Sequence, residues 1–167
     1  MTKPPDGAWY YEQLELGFNY RMTDIQAALG ISQLKRLDEF VQKRHDVFKS
    51  YEQLFNGLNL ILPFQSNLAF SAHHLYIIRI RQKEFGASRR EVFERLRANG
   101  ILVNLHYIPV YKQPYYKQFE FDVSNYTESE RYYKEAISLP MYPDLTTEQL
   151  NYIKEKLMNP IGHQTLF

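Results

Sequence analysis

The 167-residue sequence contains no cysteine, one tryptophan and seven glycines, and its 20 Lys and Arg are balanced by 19 Asp and Glu. Without cysteine there is no disulfide framework, no iron–sulfur cluster and no thiolate-liganded zinc, and a cytoplasmic setting is the simplest expectation. A formal net charge of +1 raises no field along a whole face, so nucleic acid is not an expected partner and any anion site must be local. No stretch is long and apolar enough to span a bilayer, and residues 1–7 lack an apolar run after Lys3, so neither membrane insertion nor a secretory leader is expected.

What the chain does have is tyrosine, fourteen of them beside eleven phenylalanines. A tyrosine joins an apolar ring to a polar tip and suits ligand clefts and interfaces as well as cores. An apolar fraction of 44% is enough for one buried core at this length.

Residues 1–22, with Pro4, Pro5, Gly7, Gly17 and the patch Trp9-Tyr10-Tyr11, read as an extended arm. Thr23 and Gln26 then form a T-x-x-Q capping box. Behind it Leu34, Leu37, Val41, Phe48, Tyr51 and Phe55 recur at spacings of three and four, which predicts one long helix over 23–56, closed by Asn56-Gly57. Arg44 interrupts its apolar stripe. Ala27, Ala28 and Gly30 are small, which predicts that another element crosses there.

The remainder, 57–159, reads as a small α+β domain, followed by a frayed tail over 160–167. Ala72–Arg81 is predicted to be a strand with Ile78 and Ile80 on the dry side and Arg79 and Arg81 on the wet side. Ile101–Ile108 is predicted to be a second strand. Helices are predicted from three further capping boxes, Ser88/Glu91, Thr127/Glu130 and Thr146/Gln149, the last two separated by the rigid run Leu139-Pro140-Met141-Tyr142-Pro143. A narrow sheet of this kind needs helices over one face.

Two segments could carry chemistry. In Gly17-Phe18-Asn19-Tyr20-Arg21-Met22 an amide and a guanidinium stand beside a helix N-terminus, which favours anions such as phosphate. Alternatively, Asn19 shapes a turn and Arg21 is a solvated charge. In Asn104–Tyr116, His106 at a strand end leads into a proline-stiffened loop with four tyrosines, able to stack on a nucleobase or bond sugar hydroxyls, or simply to pack as an aromatic cluster. His73-His74 is not a metal site, since neighbours on a strand point to opposite faces and no third ligand is spaced to join them, and His74 is expected to be a core histidine. No Ser-His-Asp spacing is present.

The run Trp9–Gly30, with Asn104–Tyr116 and Ser138–Pro143, resembles the DegT/DnrJ/EryC1 family of pyridoxal-phosphate-dependent sugar aminotransferases, and within it the branch that makes pseudaminic acid precursors. The resemblance implies the C-terminal small domain of a fold type I transferase, α+β, with a long linking helix and a small, mainly antiparallel sheet covered by helices. It implies amino transfer from glutamate to a UDP-linked 4-keto-6-deoxy sugar, a homodimer, and pyridoxal 5'-phosphate as cofactor. It also implies that the domain with the Schiff-base lysine precedes the equivalent of Met1, so no catalytic residue is assigned here and the chain alone is expected to be inactive. Asn19 and Arg21 resemble the residues that reach the cofactor phosphate of a neighbouring subunit. His106, Tyr107 and Tyr111 resemble the part that closes over the nucleotide-sugar. Two alternatives remain at this point: a dehydratase of the same fold, and a non-catalytic module that pairs with a full-length relative through Ala27, Ala28 and Gly30.

Overall fold

The computed structural model describes residues 17, 18 and 20–158. Most of the expected arm, Asn19 and the tail over 160–167 lie outside the described residues. The chain divides into two compact units, Met1–Arg36 and Leu37–Phe167.

The first unit contains helix α1, Asp24–Leu34. Its capping box forms as expected, with the Gln26 amide N–H donating to Thr23 Oγ1 at 3.3 Å and the Thr23 N–H donating to Gln26 Oε1 at 2.9 Å. No residue of α1 is buried. Ile25, Leu29, Ile31 and Leu34 are all exposed, and none of the described residues lies within 4 Å of where a Cβ on Gly30 would sit. The element expected to cross at Ala27, Ala28 and Gly30 is therefore not supplied by the described residues.

The single helix expected over 23–56 is a correction. After Leu34 the Arg36 N–H bonds to Gln33 O at 3.0 Å, an i→i+3 tightening that ends α1, and helix α2 runs Leu37–Phe55. The charges fit a break: Lys35 and Arg36 follow a helix C-terminus, and Asp38 and Glu39 occupy the first turn of the next, each sign matched to its dipole end. Gly57, at φ 76°, adopts the left-handed turn that stops α2.

The second unit continues with strand β1, Tyr76–Arg79, a four-residue helical turn α3, Gln82–Phe85, and helix α4, Arg89–Ala98. Three short 3₁₀ turns between Val110 and Tyr126 lead to helix α5, Thr127–Glu135, then strand β2, Ala136–Leu139, and helix α6, Thr147–Met158. β1 and β2 are antiparallel, with Tyr76 opposite Leu139 and Arg79 opposite Ala136. Single bridges extend the pair at both edges, Ile61 to Arg79 and Asn104 to Ser138. The fold is thus α+β, as expected.

The expected strand over Ala72–Arg81 shortens to β1, and Ile101–Ile108 is not a strand. Asn104 meets Ser138 at one bridge only, because its own side chain accepts the Leu105 N–H at 2.8 Å and Pro109 has no N–H to give. β2 takes the place of the expected second strand. It follows α5 with no turn residue between, and all four of its residues are buried.

The core lies between the sheet and the helices α2, α4 and α6. Tyr51 and Phe55 of α2, Tyr76 and Ile78 of β1, Val92 and Leu96 of α4, Ile137 of β2 and Leu157 of α6 are each under 2% exposed. Each such side chain contributes about 1.5–3 kcal/mol relative to exposure. Of the stripe predicted on the long helix, Phe48, Tyr51 and Phe55 are buried while Leu34 and Leu37 are exposed. Ile78 and Ile80 face the core as expected.

The two histidines reverse the expectation. His73 is the buried one, at φ 47°, and His74 is exposed. Neither lies in the strand, which starts at Tyr76, so strand alternation does not apply to them. The His73 ring stacks on Phe48 at 4.0 Å and meets His45 edge-on at 4.3 Å.

Candidate functional site

β2 and α5 position the second candidate segment. Ser138 is buried, and its backbone exchanges two hydrogen bonds with Asn104, at 2.8 and 3.1 Å. Its hydroxyl then lies 2.7 Å from His106 Nδ1. Tyr132, on α5, donates its hydroxyl to His106 O at 3.2 Å. His106 is therefore fixed from both sides, side chain by β2 and backbone by α5. Tyr107 packs edge-on against it at 4.6 Å and is exposed.

Beside this pair lies a hollow of about 510 Å³, lined by Tyr107, Ile108, Pro109 and Val110 on one side and by Arg79, Glu128, Ser129 and Tyr132 on the other. The volume falls in the range of small-ligand sites. The Arg79 charge is met by Glu135, at 2.7 Å from Nη2 and 3.0 Å from Nε. The hollow thus offers a ring and apolar edges on one wall and hydrogen-bonding groups on the other. Such a mixture suits a ring carrying hydroxyls.

Tyr111 points elsewhere. Its hydroxyl donates to Glu130 Oε1 at 2.8 Å, the Lys112 ammonium donates to Glu130 Oε2 at 2.7 Å, and the Tyr111 ring stacks on Tyr126 at 4.9 Å. Burial, then the bond to Glu130, pushes the Tyr111 phenol up to about 12. The hydrogen bond from Lys112, and next that from Tyr111, hold the Glu130 carboxyl below its usual range. This is why the expected Thr127/Glu130 capping box does not form: Glu130 is committed to the loop, and α5 starts from Tyr126 without a side-chain cap. The other three boxes do form.

Of the residues singled out from sequence, the structure brings Tyr107 to the hollow, fixes His106 behind it on Ser138 and Tyr132, and ties Tyr111 to Glu130. Arg21 is exposed just before α1, and Asn19 lies outside the described residues. Sequence reasoning missed Arg79, Glu130, Tyr132 and Ser138. Arg79 looks like a wet-face charge, and Glu130, in the first turn of α5, like a capping-box partner, until their tertiary partners are known. No group of three or more metal-ligating side chains occurs among the described residues, and none of the described helices is long and apolar enough to cross a membrane.

At the start of α1 the described residues do not build a cofactor pocket by themselves. The capping box takes the Thr23 and Gln26 N–H groups, and Asp24 adds a carboxylate to the first turn. Among the described residues Arg21 alone supplies positive charge there.

Comparison with known proteins places this architecture. The chain is 36% identical over 153 residues to the spore coat polysaccharide biosynthesis protein SpsC of Bacillus subtilis, covering 90% of this chain and 39% of that protein. It is 31% identical over 152 residues to a UDP-4-amino-4,6-dideoxy-N-acetyl-beta-L-altrosamine transaminase of Campylobacter jejuni, covering 90% and 40%. Among solved structures, the putative sugar aminotransferase Spr1654 of Streptococcus pneumoniae in its PMP form superposes with a TM-score of 0.78 at 32% identity, covering 91% of this chain and 38% of that one. Helicobacter pylori PseC, an aminotransferase of pseudaminic acid biosynthesis, gives a TM-score of 0.75 at 31% identity, covering 91% and 41%. The chain thus spans about 40% of the length of these relatives. A family model matches residues 2–158, and on that match the chain belongs to the DegT/DnrJ/EryC1/StrS aminotransferase family.

Proposed function

We propose that this chain is the C-terminal part of a pyridoxal-phosphate-dependent aminotransferase that moves an amino group from glutamate to a UDP-linked 4-keto-6-deoxy sugar. The observation that carries the reading is the family match over residues 2–158, together with relatives named as sugar transaminases. Spr1654 is known in PLP and PMP forms, which supports the same cofactor here. The cofactor supplies the electron sink for amino transfer and is held mainly by the part of the protein that this chain does not span.

This chain's own residues have three tasks in that reading. Asn19 and Arg21 contact the cofactor phosphate of a second subunit in a cytoplasmic homodimer. His106 and Tyr107 form one wall of the sugar site, and Tyr111 stiffens the loop behind them through Glu130. The exposed apolar side chains of α1, together with exposed Phe18, Tyr20 and Met22, support seating of this segment against another polypeptide.

The test uses the whole protein. Asn19→Ala is expected to weaken cofactor binding by about tenfold or more, the effect of losing a hydrogen bond to a charged group. Tyr107→Ala is expected to raise KM for the keto sugar while leaving the cofactor bound. The purified 167-residue chain is expected to give no borohydride-quenched cofactor absorbance and no amino transfer. Turnover by that chain alone would overturn the reading.

A further inference from the structure

A second hollow, of about 590 Å³, lies among β1, α3, the first turn of α4 and the end of α5, and it shares no lining residue with the one beside Tyr107. Five cations line it, Arg81, Lys83, Arg89, Arg90 and Lys134, against two carboxylates, Glu84 and Glu135. For a chain whose formal net charge is +1, this is a strong local concentration.

The carboxylates neutralise it only in part. Glu135 is bound to Arg79 at 2.7 Å, outside the hollow, and Glu84 meets only Arg81, at 3.3 Å. Arg90 pairs with Glu94 on the exposed flank of α4, at 3.0 Å. Glu91 lies two residues from Arg89 on α4, on a different face of the helix, and its carboxylate accepts the Ser88 N–H at 2.6 Å. Glu130, one turn before Lys134, has both oxygens bonded to Tyr111 and Lys112 and feels the Lys134 charge only through space. Among the described residues Lys83, Arg89 and Lys134 therefore form no ion pair, and Arg89 has only the Tyr133 ring, 5.8 Å from its guanidinium carbon.

Collecting like charges without counter-ions destabilises a fold, and Arg89 sits in the first turn of α4, at the positive end of its dipole, which adds to the cost. We propose that this hollow binds a compact polyanion, a small soluble molecule carrying a diphosphate or two clustered phosphates. Its volume is that of a small-ligand site. A nucleic acid fits poorly: no exposed ring lines the hollow for a base to stack on, since Tyr133 lies under Arg89 and Lys112.

The experiment is calorimetric titration of the 167-residue chain with sodium pyrophosphate, with sodium chloride matched for ionic strength as the reference. Saturable one-to-one binding that weakens with added salt is expected. Lys83→Gln, Arg89→Gln and Lys134→Gln are each expected to weaken it by about three- to tenfold, as solvent-screened charge contacts do, and the triple variant to abolish it. A Lys49→Gln/Lys154→Gln variant, with the same kind of charge loss away from the hollow, is expected to bind as the parent does. The proposal fails if pyrophosphate gives no saturable binding, if the triple variant keeps parental affinity, or if the distant variant loses as much as the local ones. Should the triple variant not fold, the three single variants decide by the same criteria.

Discussion

Arg44 Nη1 donates to the Met141 carbonyl at 2.8 Å and lies 3.3 and 3.4 Å from the carbonyls of His73 and His74. One guanidinium nitrogen thus ties α2 to two separate loops, the one before β1 and the one after β2. The interruption in the apolar stripe of α2 is the point at which the helix holds backbone oxygens that no strand satisfies. Arg44→Met is expected to destabilise the chain by about 2 kcal/mol, the scale for hydrogen bonds from a charged donor. Arg44→Lys is expected to recover only part of that, since an ammonium lacks the planar fork. Urea unfolding with an unchanged slope checks both; a loss under about 0.5 kcal/mol, within the scatter of ordinary surface changes, would remove the role given to Arg44.

Two neighbouring tyrosines separate a paired from an unpaired buried hydroxyl. The rings of Tyr51 and Tyr76 stack at 4.5 Å, and burial pushes both phenols upward in pKa. The Tyr51 hydroxyl donates to Pro140 O at 2.8 Å, whereas the buried Tyr76 hydroxyl has no hydrogen-bond partner among the described residues. Tyr51→Phe is expected to cost about 1 kcal/mol, because it leaves a carbonyl short of a donor. Tyr76→Phe is expected to be neutral or stabilising. Thermal melts of the two variants read the contrast directly, and equal losses would contradict it.

Low pH acts first at His73. Burial, and next the facing His45, lower its pKa from 6.5. The folded state therefore binds fewer protons than the unfolded one below that value. The contribution to stability is complete above about pH 6.5 and is lost as pH falls through the folded value. The urea midpoint is expected to drop between pH 7.5 and 5.5. His73→Asn keeps a residue that tolerates positive φ and should flatten that drop, although its baseline stability is lower. A slope unchanged by the substitution would assign the effect to another group.

At the other end of the scale the Tyr111–Glu130 contact is open to spectroscopy. With its phenol pushed up to about 12, Tyr111 stays protonated in the folded chain while an unfolded tyrosine ionises near pH 10. Its contribution is complete below pH 10 and is lost as pH rises toward 12. Glu130→Gln removes the carboxylate and is expected to bring the Tyr111 transition down toward 10, followed by absorbance at 295 nm against a Tyr111→Phe reference. Glu130 itself, held low by Lys112 and Tyr111, contributes above its ordinary range near 4.5 and loses that contribution as the solution becomes acidic.

The helices were legible because their signals are local. Thr23/Gln26, Ser88/Glu91 and Thr146/Gln149 each close within four residues, and each forms. Strand β1 was legible within a longer expected run, but β2 was not, since the four residues Ala136–Leu139 carry too little pattern to declare their period and are defined by a partner far off in the sequence. The box that failed, Thr127/Glu130, failed at the candidate site. There a distant tyrosine and lysine compete for the glutamate, and local consistency gives way where a loop has to be held for a ligand. His106 and Tyr107 could be singled out as a strand end running into a stiff loop, but Ser138 and Tyr132, which hold His106 in place, become visible only once β2 and α5 are folded beside it.

The direct passage from Glu135 into Ala136 leaves the chain no slack. One inserted residue at that junction would exchange the two sides of β2, sending the Ser138 hydroxyl into hydrocarbon and the Ile137 side chain toward the imidazole it should be supporting. Length variation among descendants of this sequence should therefore collect in the loops around Pro63 and Gln113 and be absent at this seam.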